Sequence, residues 1–352
     1  MSETTPTPRR FRRAKRAAIA AVALAAATTL LAGCSQGGAA SSASSSGSGS
    51  SDKNLRIVYI AALINDSFFI TGKCGAEAAA KEGGATLQFQ GPTSNSATAE
   101  IQAFNAAAAT NPDGMLVAPF SNTGFSTTVK SLMSKGAPVW ATGQTLEPAA
   151  AYGTTITDFL KSAEDLGSII GELTGGSGTV GLIADTTGNK TDSDRYTELV
   201  PELESKYPDL DILSPEYAEN STSKSSTVAS ALLQGHPDMK VIYATSGPEA
   251  VGAAAAIKAA GKTDSVKLVS FDSSPDQIEL LKKGELAATV GQSPYQGAYI
   301  GTKKVIEYLR DNPDGGTVPA SSEITATPTL LLTPENVNSA KAKEYQYMTS
   351  CS

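Results

Sequence analysis

The chain has 352 residues, 18% of them charged, with 28 Lys and Arg against 35 Asp and Glu for a formal charge of −7. That acidic balance leaves no basic stripe for nucleic acid or for an acidic lipid surface, so neither is an expected partner. The length allows two lobes with separate cores, and the single histidine, His236, excludes a histidine-based metal cluster.

At the N-terminus "RRFRRAKR" (Arg9 to Arg16) precedes the alanine-rich "AAIAAVALAAATTLLAGC". A charged region followed by an apolar run slightly short for a spanning helix reads as an export signal over residues 1–33. Leu31-Ala32-Gly33-Cys34 resembles the bacterial lipobox, which implies a mature chain that starts at Cys34 with a thioether-linked diacylglycerol. A signal without lipid is the alternative. Arg9-Arg10 leaves general and twin-arginine export both open. Loss of residues 1–33 lowers Lys and Arg from 28 to 22 and Asp and Glu from 35 to 34, a net charge of −12. Residues 34–54 follow as a Ser/Gly-rich stretch with no apolar side chain larger than alanine after Cys34. Such a segment buries too little surface to offset its ordering entropy and is expected to be a flexible tether.

From Leu55 onward apolar, β-rich runs recur: "RIVYIA", "ATLQFQ", "GMLVAPF", "APVWATG", "TVGLIAD", "DILSPEY", "KVIYATS", "KLVSFD" and "LAATVGQ". Alanine-rich segments of helical length lie between most of them, such as "ATAEIQAFNAAAAT" and "PEAVGAAAAIKAAGK". This alternation predicts an α/β fold, with parallel sheets covered by helices on both faces. Ligands of such sheets bind at the carboxyl ends of the strands, where the polar residues cluster here. With Cys34 set aside, Cys74 and Cys351 form an even pair in an oxidising compartment. A disulfide between them would pin the tail "KAKEYQYMTSC" onto the first helix; two free thiols are the alternative.

Catalytic and cofactor signals are thin. The glycines of "TGGSGTVGLI" come before their strand, whereas a phosphate cradle needs them after it. "IADTTGNKT" follows a strand but has Ile183 and Asn189 where a Walker loop needs glycine and lysine. His236 sits in the turn "QGHPDMK", and no nucleophile elbow is present. Neither an enzyme nor a resident cofactor is expected.

From Leu55 to about Pro334 the chain resembles the periplasmic sugar-binding proteins of the ribose-binding type. The resemblance rests on "INDSFF", "PVWATGQ", "DSDRYTEL", "IYATSGPEAVGAAAAIKAAGK" and, most specifically, "LVSFDSSPDQIELLKKGELAATVGQSPYQGAYIG". It implies two doubly wound parallel-sheet lobes joined by a three-crossing hinge, with the ligand cleft between them. The lobes are expected at 55–157 with 293–326 and at 158–292 with 327–340, followed by a C-terminal tail at 341–352.

A sugar presents flat C–H patches and a rim of hydroxyls, so its site needs aromatic faces and planar charged groups. Phe68 and Phe69 can supply the faces, or else pack inside the first helix. Asp272, ending "KLVSF", can accept from two neighbouring hydroxyls, or else cap the helix that begins near Pro275. Arg195 matches the family's binding arginine, with a surface salt bridge as the alternative. Gln292 is a ligand contact or a hinge residue. Asp66 replaces a family asparagine, and Gln144, Thr157 and Ser246 are weaker polar candidates. The departures are specific. Gly143-Gln144 stands where ribose binders place an Asp-Arg pair, Ala118 and Ser246 replace asparagines, and Phe120 adds an apolar wall. The implied ligand is therefore a sugar, polyol or derivative different from ribose.

The resemblance implies a monomeric, extracytoplasmic lipoprotein that delivers its solute to an ABC permease. A sensory lipoprotein signalling to a membrane kinase or chemotaxis partner, or a binder of a non-sugar solute, is the alternative.

Overall fold

A computed structural model describes residues 54–94 and 96–351. The expected signal, Cys34 and the tether up to residue 53 lie outside the described residues. The chain then runs β1 (Leu55–Ala61), α1 (Ser67–Glu82), β2 (Ala85–Gln90), α2 (Ala97–Ala109), β3 (Gly114–Ala118), α3 (Ser126–Ser134), β4 (Val139–Gly143) and β5 (Gly153–Thr157). Next come α4 (Phe159–Thr174), β6 (Ser177–Ala184), α5 (Lys190–Thr197), α6 (Leu199–Lys206), β7 (Asp209–Ile212), β8 (Glu216–Tyr217), α7 (Thr222–Gly235) and β9 (Met239–Ala244). The remainder is α8 (Gly247–Ala259), β10 (Lys267–Phe271), α9 (Pro275–Lys283), β11 (Ala288–Gly291), α10 (Pro294–Asp311), β12 (Ile324–Thr327), β13 (Leu330–Leu332) and α11 (Ala340–Lys343).

These strands form two sheets. The first has the order β12-β5-β4-β3-β1-β2 and is parallel throughout. The second has the order β13-β11-β10-β9-β6-β7, with β8 also paired to β6, and only β13 runs antiparallel. Both faces of each sheet are covered, which is why the central strands read as near-continuous apolar runs. In β1, Val58 and Ile60 pack with Phe104 and Phe125, while Ile57 and Tyr59 pack on the other face with Trp140 and Val305. In β9, Ile242 and Ala244 likewise face one core, and Val241 and Tyr243 the other.

Glycines set the closest helix approach. A Cβ at Gly75 of α1 would lie 2.0 Å from the carbonyl oxygen of Tyr295 in α10, so the two helices meet backbone to backbone. A Cβ at Gly301 of α10 would lie 2.5 Å from the Trp140 ring.

The chain passes from one sheet to the other three times: after β5, between β11 and α10, and between β12 and β13. The crossings lie side by side. Asp158 N–H donates to Thr327 O at 3.0 Å, and the Thr157 hydroxyl donates to Gln292 Oε1 at 2.6 Å. After α11 the tail links the two lobes again. Tyr347 N–H donates to Ser273 O at 3.0 Å in the second lobe, and Met348 N–H donates to Thr71 Oγ1 at 2.6 Å in the first. Cys351 is bridged to Cys74 of α1, with the Cα atoms 5.2 Å apart. One expectation needs correction: "DILSPEY" is two short strands, β7 and β8, on either side of Pro215, which has no N–H for the ladder.

Candidate functional site

A cleft lies between the two lobes at the carboxyl ends of β1, β3, β4, β6, β9 and β10, and it encloses about 940 Å³ with its open mouth included. Its walls differ in chemistry. The first lobe contributes Leu63, Phe68, Phe69, Ala118, Pro119 and Phe120, a mainly apolar wall whose charged member is Asp66. The second contributes Asp185, Asp192, Arg195 and Asp272, together with Asn189 and Ser246.

The first wall is set by the start of α1. Asp66 caps this helix by accepting from Phe68 N–H at 2.8 Å, which turns the next two residues towards the cleft. Burial raises the carboxyl pKa of Asp66, and the bond from Phe68 N–H opposes that shift. The Phe68 and Phe69 rings meet edge to face at 5.2 Å, a geometry that suits their quadrupoles. Phe69 also packs against the core of α1 and α10.

The second wall centres on Asp272. This residue follows β10 with φ +80°, a backbone region that L-residues rarely adopt and one in which strain is often held at binding sites. Thr289 Oγ1 holds the conformation by donating to the Asp272 carbonyl at 2.6 Å. Ser274 caps α9 in a reciprocal box with Gln277, which leaves the Asp272 carboxylate free of that task. Its Oδ2 accepts from Arg195 Nη1 at 3.0 Å; its Oδ1 accepts from Gln292 Nε2 at 2.5 Å and from the Tyr347 hydroxyl at 2.8 Å.

Arg195 is buried rather than a surface partner. Its Nη1 also donates to Thr245 O at 2.6 Å, and the guanidinium lies 4.6 Å over the Phe271 ring. Burial opposes its charge, but the carboxylates of Asp272 and Asp192 outweigh that and hold its pKa above the ordinary range. Among the described residues its Nε has no hydrogen-bond partner. Asp192 accepts from Thr245 Oγ1 at 2.6 Å and from Asp185 N–H at 2.9 Å, and burial pushes its pKa up to about 6. Ser246 donates to the buried carboxylate of Glu249, whose pKa burial raises to about 7.

Of the nine residues expected at the site, Asp66, Phe68, Phe69, Arg195, Ser246 and Asp272 line the cleft together. Gln144, Thr157 and Gln292 do not. The Gln144 amide donates to the carbonyls of Pro119 and Phe120 and so holds the loop that carries the Phe120 wall. Thr157 lines a smaller neighbouring pocket and bonds Gln292, which relays to Asp272 from behind the wall. Sequence reasoning missed Tyr347, Asp185, Asn189 and Asp192. Asp185 and Asn189 belong to "IADTTGNKT", set aside as a failed phosphate loop although its place after a strand puts it at the cleft, and Asp192 opens the next segment, "DSDRYTEL", of which only Arg195 was singled out. For Tyr347 the signal was the Cys74–Cys351 pairing, because a tail tied two turns into α1 must pass the start of that helix.

The residues thus form an apolar aromatic wall opposite a buried, charge-paired one. That arrangement can clamp a small molecule with C–H faces on one side and hydroxyls on the other. Comparison with known proteins points the same way. A family model described as a periplasmic binding protein domain matches residues 57–313. The ribose import binding protein of Bacillus subtilis is 25% identical over 249 residues, 70% of this chain and 79% of that protein. The D-allose-binding periplasmic protein of Escherichia coli is 25% identical over 254 residues, 69% of this chain and 81% of the other. Among solved structures, an ABC transporter solute-binding protein from Agrobacterium vitis bound with α-D-tagatopyranose superposes with a TM-score of 0.75 at 23% identity, covering 84% of this chain and all of that one. A glucose-galactose binding protein from Geobacillus stearothermophilus gives 0.72 at 23% identity, over 81% and 99%.

Proposed function

The chain belongs to the periplasmic binding protein domain family, and from that membership we propose that it captures a sugar or sugar-like polar solute between its lobes and delivers it to an ABC importer. It is a binding protein rather than an enzyme. The observation that carries the reading is the pairing of Phe68 and Phe69 on one wall with the Asp272–Arg195 pair on the other. A solute that touches both has greater affinity for the closed arrangement than for an open one, and that difference drives closure. Closure changes the surface that a membrane permease meets.

Asp272 and Arg195 are the polar anchors, with Asp66 and Ser246 at the rim. Gly143 stands where ribose-type binders carry a charged residue, so the first lobe offers C–H contact more than charge, and the solute differs from ribose. The lobes hinge near Thr157-Asp158, Gln292-Ser293 and Ala326-Pro328, with boundaries at 55–157 plus 293–326 and 158–292 plus 327–340. Export by the N-terminal signal and lipidation at Cys34 place the protein on the outer face of the cytoplasmic membrane, as a monomer. The names of relatives described as import-binding and periplasmic support export.

A thermal-shift screen against pentoses, hexoses, polyols and their derivatives tests this. A solute at a hundred times its dissociation constant adds about 2.7 kcal/mol of stability, seen as a higher Tm. A panel without any shift would overturn the sugar reading.

A further inference from the structure

Asp272 is engaged at three points by the protein itself. A carboxylate offers about four acceptor positions, and here Arg195, Gln292 and Tyr347 use three of them. The first two come from elements of the lobes and hinge. Tyr347 comes from the tail, which is fastened on both sides of the cleft. Ser273 O takes Tyr347 N–H on one side; Thr71 Oγ1 takes Met348 N–H and Cys74 takes Cys351 on the other. Ser273 also donates its hydroxyl to Tyr345 O, a second tie on the Asp272 side. The Tyr347 ring stands edge to face with Phe68 at 5.6 Å, so one residue extends the aromatic wall and bonds the charged one. Gln292 Nε2 bridges to the same phenol oxygen at 3.0 Å, which fixes the hydroxyl with its proton towards Asp272.

Resting on the sugar-binding reading, we propose that Tyr347 is a specificity-determining residue of the cleft: its phenol occupies the Asp272 oxygen that a second solute hydroxyl would otherwise take. A sugar edge with two adjacent hydroxyls must displace a held phenol to bind both carboxylate oxygens. A deoxy edge meets the Phe68 and Tyr347 rings through its C–H groups and leaves the phenol bond intact. The site therefore selects solutes that lack one hydroxyl at this end. Burial, the neighbouring Asp272 carboxylate and the bond to it raise the phenol pKa well above its ordinary value, so it remains a donor at physiological pH.

The test is calorimetric titration of the wild-type protein and of Tyr347→Phe with matched pairs, 2-deoxy-D-ribose against D-ribose and D-fucose against D-galactose. The variant keeps the ring and removes only the hydroxyl. The wild type is expected to favour the deoxy member of at least one pair, and Tyr347→Phe to shift that ratio about tenfold towards the fully hydroxylated member, the effect of one charge-assisted hydrogen bond. Tyr347→Ala, which also opens space, should shift it in the same direction. Unchanged ratios in both variants, with solutes still bound, overturn the proposal and leave the sugar-binding reading standing. No binding of any panel sugar by wild type or variants overturns that reading and this proposal together.

Discussion

Asp272 carries more than one burden, and its substitutions separate them. Alanine removes one carboxylate partner of a buried guanidinium, which costs about 3–5 kcal/mol, and it leaves a φ of +80° that suits alanine less well than Asp or Asn. Asp272→Asn retains an acceptor for Arg195 and suits the backbone. It is expected to keep the native circular dichroism spectrum while weakening solute binding by at least about tenfold, since bonds to a charged acceptor contribute roughly 1.5–3 kcal/mol. Binding within twofold of wild type would remove Asp272 from the site. Buried carboxyls set the pH response. Burial raises Glu100 from 4.5 to about 8, with Phe120 N–H as the partner of one oxygen, and it raises Glu249 to about 7. Between 4.5 and these values the folded chain holds protons that the unfolded chain has lost, so stability falls as pH rises through the window. Denaturant midpoints should be higher at pH 5.5 than at pH 8, and Glu100→Gln should flatten the slope. An equal slope in the variant would contradict that assignment. Asp272 was legible because it directly follows a strand, the two phenylalanines because they open the helix after one, and Arg195 through the family likeness. Asp192 was not, since its importance arises from burial beside Arg195, and burial of a polar residue leaves no mark in the sequence.

At the scale of elements, the glycines of α1 and α10 matter more than their helix propensity suggests. Gly75→Ala sets a Cβ against a carbonyl oxygen, and a backbone cannot swing aside as a side chain can. Such overpacking costs typically about 1–3 kcal/mol. A lower Tm is expected, whereas Gly261→Ala, with open space around its Cβ but φ +65°, reports backbone strain alone. Equal losses in the two variants would contradict the helix-contact account. Long apolar strands such as β1 and β9 were evident from their composition. The segments β5, "GTTIT", and β12, "ITAT", were not, because each is short and threonine-rich and is held by pairing to the other at the edge of the sheet.

For the whole molecule, one set of hydrogen bonds runs from a lobe crossing through the cleft wall to the tail. Thr157 bonds Gln292, Gln292 bonds Asp272, and Asp272 bonds both Arg195 and the tail, so the lobe crossings and the cleft wall share hydrogen bonds. Solute binding is expected to reduce the radius of gyration in X-ray scattering, and an unchanged profile with saturating solute would argue against closure. The Cys74–Cys351 link closes a loop across 277 residues, so Cys74→Ser with Cys351→Ser should cost about 2–4 kcal/mol. Thiol titration of the denatured, unreduced protein should find neither cysteine free. The two-lobed plan was legible from strand and helix alternation together with the family likeness. The tail's place in the cleft depended on a long-range contact that no local pattern encodes.

The most direct test of the central claim is a calorimetric titration of the best sugar from the thermal-shift panel into wild type and Asp272→Asn. Saturable one-to-one binding by the wild type, weakened at least about tenfold in the variant, is the predicted result. Equal affinity in the two proteins, or no heat from any sugar, would contradict it.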